Sequence, residues 1–153
     1  MPDVFIIPVG NGTLFLGAYR AFTQLMDWGL IKKFPKIIAV QSENCAPIKK
    51  SFDNSLIEVL PVENMGTLAE GIAIAAPARG TQILDIIRSI KGSIISVNDS
   101  EIISARNTMA KLGVYVEITS AANYAGYLKY INENDENSDK IIVFPLCGAG
   151  IKS

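Results

Sequence analysis

The chain has 153 residues, enough for one domain with a buried core, and 49% are hydrophobic against 19% charged. Lys and Arg total 14 and Asp and Glu 15, so no basic excess marks a nucleic-acid-binding surface. Histidine is absent and cysteine occurs only as Cys45 and Cys147, which excludes Ser-His-Asp and Cys-His nucleophile pairs, His-ligated metals and a disulfide framework.

Val4 to Pro8 is a continuous apolar run and predicts a first strand buried on both faces. Gly10 and Gly12 turn it into a helical pattern over Leu14 to Leu30, with Phe15, Tyr19, Phe22 and Met26 along one side. Lys36 to Gln41 predicts the second strand, and Lys49 to Ser55, after Pro47, reads as a polar break. Leu56 to Leu60 is a short extended candidate. Thr81 to Lys91 carries Ile83, Leu84, Ile87 and Ile90 at helical spacing, and Ser93 to Val97 predicts the third strand. Asn98 or Asp99 caps a helix over Asp99 to Leu112, with Glu101 placed three residues after Asn98 as a capping box requires. Val114 to Glu117 is a second short extended candidate, followed by a helix over Ser120 to Ile131. Asn132 to Asp139 is acidic and reads as a solvated turn before the last strand, Lys140 to Pro145.

This alternation predicts an α/β fold, a three-layer αβα sandwich on a mainly parallel sheet, as one domain over residues 1–153. Apolar stretches such as Gly71 to Ala78 are too short to span a bilayer, and no signal or transit peptide is visible. A cytoplasmic protein without membrane or nucleic-acid partners is expected, and the apolar composition suggests a homo-oligomer.

Two glycine turns carry the chemistry. In the first, Gly10 and Gly12 remove side chains that would block close approach, and the turn opens a helix. Free amides and the helix dipole there form an anion site that needs no lysine, with the Thr13 hydroxyl as a further donor. A tight βα turn without a ligand is the alternative and stays open on these residues alone. The turn is neither a Walker loop nor a dinucleotide fingerprint, because Phe15 stands where the third glycine belongs. In the second, Cys147 precedes Gly148 and Gly150 at the carboxyl edge of the last strand, where open α/β sheets bind ligands. Cys147 reads either as a small buried hydrophobe or as a weak donor or acceptor beside a ring nitrogen.

In this order, several segments resemble the C-terminal half of the threonine synthases, and more broadly the fold-type-II (tryptophan synthase β-like) pyridoxal-phosphate enzymes. They are Pro8 to Leu14, Met26 to Lys32, Ile38 to Pro47, Thr67 to Ala73 with Pro77, Val97 to Ile102, Val116 to Ala122 with Gly126, and Pro145 to Lys152. The resemblance covers essentially the whole chain. It implies the large-domain fold of these enzymes and pyridoxal 5'-phosphate as cofactor. Gly10, Asn11, Gly12, Thr13 and the amide of Leu14 would bind the cofactor phosphate. Gly71 would let its loop approach the ring, and Cys147 would meet the pyridine nitrogen.

Threonine synthases usually carry Thr or Ser at the position of Cys147, and some serine dehydratase-type relatives carry Cys. Glu70 reads as a ring neighbour or a plain loop carboxylate, Ser120 as a helix N-cap or a substrate contact, and Glu117 as a residue that orients loops near the cofactor. The lysine-bearing segment of these enzymes and their asparagine- and threonine-rich substrate loop have no counterpart here. The chain is therefore expected to be a C-terminal portion, inactive by itself, with no catalytic residue of its own.

The implied reaction converts O-phosphohomoserine and water into threonine and phosphate, with a small amino acid as substrate. A serine/threonine dehydratase-type lyase and a non-catalytic phosphometabolite-binding module are the rival expectations.

Overall fold

A computed structural model of the chain describes residues 1–134 and 139–152. Four parallel strands form its sheet: β1 (Val4–Pro8), β2 (Lys36–Ser42), β3 (Ser93–Val97) and β4 (Ile142–Val143), in the order β3-β2-β1-β4. Five α-helices accompany them: α1 (Thr13–Asp27), α2 (Pro47–Asp53), α3 (Gly80–Ser89), α4 (Asp99–Lys111) and α5 (Ile118–Asn134).

Side chains alternate across the pleat, and each face of the sheet has its own core. Ile7, Val9, Ile37, Ala39 and Ile94 pack against Phe15, Leu16 and Phe22 of α1, Ile48 of α2, and Ile83, Leu84 and Ile87 of α3. Val4, Ile6, Ile38, Val40, Ile95 and Val97 pack against Ile102, Ala105 and Met109 of α4 and Ala121, Ala122 and Ala125 of α5. The result is the expected three-layer sandwich. Gly126 brings α5 close to the sheet, because a Cβ there would lie 2.5 Å from the Val40 side chain.

Strands β1, β2 and β3 fall where the apolar runs place them. The last strand is shorter than the expected Lys140 to Pro145, and pairs with β1 only through Val4–Ile142 and Phe5–Val143. Pro145 has no N–H with which to continue the ladder. The buried Asn123 of α5 joins β1 to the segment after β4 there instead, its Nδ2 donating to the Ile6 carbonyl at 3.2 Å and the Pro145 carbonyl at 3.1 Å.

The other extended candidates are also corrected. Leu56 to Leu60 forms no strand, because its backbone is partnered by helices: Val59 N donates to Thr81 Oγ1, Leu60 N to Ser51 Oγ, and the Leu56 carbonyl accepts from Arg88 Nη1. Val114 to Glu117 contributes a single antiparallel bridge, Val116 to Ala149.

The polar break after Pro47 is helix α2. Pro47 sits in its first turn, where a missing N–H costs nothing, and Lys49 pairs with Asp53 one turn on at 2.6 Å. Its first amides are satisfied from β2, as Gln41 Oε1 accepts from Ile48 N at 3.1 Å and Lys49 N at 3.0 Å. The capping box of α4 is present: Asn98 Oδ1 accepts from Glu101 N at 3.0 Å, and Asn98 N donates to Glu101 Oε2 at 2.8 Å. The acidic segment Asn132 to Asp139 begins inside α5, since Asn132 to Asn134 are helical; residues 135–138 lie outside the described residues.

Candidate functional site: a cavity at the carboxyl edge of the sheet

The parallel strands point their carboxyl ends to one edge, and the loops that follow β1 and β4 meet there. Gly12 is the N-cap of α1 with φ 84°, a left-handed conformation that favours glycine, and a Cβ there would collide with the Ile83 side chain. No side chain caps α1. The first intrahelical bond recorded runs from Leu16 N to the Gly12 carbonyl, and among the described residues the amides of Asn11, Gly12, Thr13, Leu14 and Phe15 have no protein acceptor. Their partial charges add to the helix dipole at the point where an anion would sit.

A second loop leans over this turn. A Cβ on Gly10 would lie 2.9 Å from the Gly71 carbonyl oxygen and 3.2 Å from Ile72 Cα, so glycine alone permits this approach. The loop is fastened to the start of α4: Asp99 accepts from Thr67 Oγ1 at 2.5 Å and, through Oδ2, from Leu68 N at 3.1 Å. A single 3-10 turn, Glu70–Ile72, then carries Gly71 across. Glu70 is exposed and does not line the cavity, in keeping with a plain loop carboxylate.

The loop after β4 is fastened to the start of α5. Glu117 N donates to the Gly148 carbonyl at 3.0 Å, and Gly150 N to the Tyr115 carbonyl at 3.0 Å. The Glu117 carboxylate accepts from Thr119 N at 2.8 Å, Ser120 N at 2.7 Å and Ser120 Oγ at 2.8 Å. Ser120 Oγ in turn accepts from Gly148 N at 3.1 Å. Glu117 is thus the residue that caps α5, while Ser120 is a buried clasp on the Cys147 turn; the expectation of Ser120 as the N-cap is corrected. Cys147 is exposed at the cavity, which corrects its reading as a buried hydrophobe. Partial desolvation by the surrounding turn, and then the Glu117 carboxylate, push its thiol above the ordinary pKa, so it is a neutral thiol at neutral pH.

These loops enclose a cavity of about 280 Å³. Gly10, Asn11, Gly12, Thr13, Leu14, Gly71 and Cys147 all line it, together with Pro8, Ile72, Ile74 and Thr119. All seven residues that the resemblance assigns to the cofactor therefore line one cavity, while Glu70, Glu117 and Ser120 do not. Thr119 is the lining residue that the sequence reading passed over, because it sits inside a segment whose serine drew attention. No lysine lines the cavity among the described residues, and no group of His, Cys, Asp or Glu among them could hold a metal ion. Donor amides, a thiol, a hydroxyl and apolar side chains around one cavity suit a flat ring carrying a phosphate. The closely packed glycines are the observation that supports this fit.

A parallel αβα sandwich with unpartnered helix-start amides at a glycine-lined carboxyl edge has the arrangement of α/β domains that bind ligands at that edge. Comparison with known proteins narrows the class. Residues 1–148 match the family described as pyridoxal-phosphate dependent enzyme, and the chain belongs to that family.

It is 33% identical to a threonine synthase of Methanocaldococcus jannaschii over 99% of this chain and 38% of that protein. It is 32% identical to a threonine synthase of Mycobacterium bovis over 99% of this chain and 40% of that protein. The chain thus spans about two fifths of the length of these curated relatives. Among solved structures, the processed form of threonine deaminase isoform 2 from Solanum lycopersicum superposes with a TM-score of 0.76 at 23% identity, covering 97% of this chain and 40% of that one. Maize serine racemase gives 0.70 at 21%, over 97% and 43%. These structural likenesses establish the fold, that of the fold-type-II enzymes.

Proposed function

We propose that this chain is the cofactor-phosphate portion of a threonine synthase-like enzyme, which converts O-phosphohomoserine and water into threonine and phosphate. The observation that carries the reading is the meeting of the unpartnered amides of Asn11 to Leu14 with Gly71 and Cys147 around one cavity. The threonine synthase names of the 32–33% identical relatives supply the reaction.

When bound, pyridoxal 5'-phosphate supplies an electron sink for chemistry at the carbons of an amino acid. The chain's own residues bind and orient it. The amides of residues 11–14 and the Thr13 hydroxyl hold the phosphate, and the α1 dipole favours its charge. Gly71 lets its loop lie against the ring, and the Cys147 thiol, kept neutral, meets the ring nitrogen as a weak donor. No lysine lines the cavity among the described residues, so in this reading the chain holds the cofactor through hydrogen bonds and without a covalent link.

Cys147 is the one observation that favours a second reading, a serine/threonine dehydratase-type lyase.

Titration with pyridoxal 5'-phosphate, followed by borohydride reduction and mass spectrometry, tests the proposal. Saturable binding that inorganic phosphate competes away, with no stoichiometric adduct on one lysine, is expected. Absence of binding, or a single stoichiometric lysine adduct, overturns it. In the complete enzyme, phosphate release from O-phosphohomoserine against ammonia release from threonine separates the two reactions.

A further inference from the structure

Thr119 lies in the first turn of α5 with its backbone pinned, as its amide donates to Glu117 Oε2 at 2.8 Å. Its side chain packs on the open face of Gly71: a Cβ on Gly71 would lie 2.7 Å from Thr119 Oγ1 and 3.7 Å from Thr119 Cβ and Cγ2. Thr119 is half-buried and lines the same cavity as Gly71 and Cys147. The neighbouring hydroxyl of Ser120 is engaged on both sides, by Glu117 and by Gly148 N. Thr119 Oγ1 makes no hydrogen bond to any described residue, so its donor and its lone pairs are unspent where Thr119 and Gly71 line the cavity.

The cavity is therefore asymmetric. Backbone amides serve an anion on the α1 side, and side-chain groups on the α5 side offer neutral hydrogen bonds. A ligand that is only an anion uses the first set alone. A ligand with a polar ring edge uses both.

We infer that Thr119 is a ligand-contacting residue that reads the polar edge of the ring through its hydroxyl, making the cavity selective for a phosphorylated, hydrogen-bonding ring over a simple phosphate. This rests on the proposed placement of the cofactor phosphate at residues 11–14. A net neutral hydrogen bond of about 1 kcal/mol corresponds to roughly fivefold in affinity.

The test uses two probes that cannot react covalently with lysine. Pyridoxine 5'-phosphate has the ring and the phosphate, and methyl phosphate has the phosphate alone. Calorimetric titration is carried out on the wild-type chain, on Thr119→Val, which keeps the shape and removes the hydroxyl, and on Thr119→Ser, which keeps the hydroxyl. Thr119→Val is expected to weaken pyridoxine 5'-phosphate about fivefold and leave methyl phosphate unchanged, while Thr119→Ser stays within about twofold of wild type on both. Equal affinity of wild type and Thr119→Val for pyridoxine 5'-phosphate overturns the inference and leaves the cradle standing. Equal losses on both probes overturn it as well, since they mark a structural effect. Failure of the wild-type chain to bind either probe overturns the cradle and this inference with it.

Discussion

Glu117 and Gly148 close a clasp between the start of α5 and the loop after β4. The Glu117 amide donates to the Gly148 carbonyl at 3.0 Å, and a Cβ on Gly148 would run into the Glu117 side chain. The same carboxylate collects three donors from Thr119 and Ser120. One residue thus caps a helix and positions two cavity-lining residues, Thr119 directly and Cys147 through its turn.

Removing the carboxylate leaves those donors without an acceptor. Glu117→Ala is expected to cost about 1–2 kcal/mol of stability, with Glu117→Gln intermediate because its carbonyl oxygen still accepts. Urea denaturation of the three proteins checks the order. Equal midpoints for Glu117→Ala and wild type refute the capping role.

The clasp also sets the protonation of Cys147. Partial desolvation and the negative Glu117 carboxylate both disfavour the thiolate, so the thiol titrates above an ordinary cysteine. Only the thiolate is alkylated. The rate with iodoacetamide should therefore rise at a higher pH than for a free thiol, and Glu117→Gln should move that rise to lower pH by removing one charge. Comparison against Cys147→Ser isolates the signal from the buried Cys45. Superimposable profiles for wild type and Glu117→Gln exclude the electrostatic coupling.

The layers of this fold and most of its site are local properties of the chain, which is why they can be read from it. The runs at Val4, Lys36 and Ser93 are apolar on both faces, as buried parallel strands must be, and Asn98 with Glu101 is a self-contained cap. The glycines declare themselves because a side chain is disfavoured by the φ of Gly12 and by the Gly71 carbonyl beside Gly10. What stayed hidden depends on partners that only the folded sheet and helices bring together. Helix α2 is short, polar, and capped by the Gln41 side chain from the neighbouring strand. The shortening of β4 depends on Asn123, 22 residues before the Pro145 carbonyl it holds. Thr119 acquires meaning only when Gly71 is folded against it.

Gly12 tests the cradle with least ambiguity about cause. Its left-handed backbone costs a non-glycine residue about 1–2 kcal/mol, and the new methyl also meets Ile83 in the core. Gly12→Ala should be destabilised by at least that much and should lose phosphate-ester binding. Gly10→Ala meets only the overlying loop, so it should lose binding with a smaller loss of stability. If both variants keep wild-type affinity for methyl phosphate, the anion site lies elsewhere.

Asp99 offers the complementary case, a residue outside the cavity that holds a wall of it in place. It stands at the start of α4, and its carboxylate fixes Thr67 and Leu68, a few residues before Gly71. The capping of α4 itself is performed by Asn98 and Glu101. The two functions can therefore be separated by substitution. Asn98→Ala should cost about 1 kcal/mol and leave ligand affinity alone. Asp99→Ala should free the 67–71 loop, raising hydrogen exchange at Leu68 and weakening pyridoxine 5'-phosphate several-fold, with a stability loss no larger than that of Asn98→Ala. The reverse pattern, with affinity tracking the loss of the cap and not the loss of the Asp99 tether, would show that the Gly71 loop keeps its place against Gly10 without help from α4.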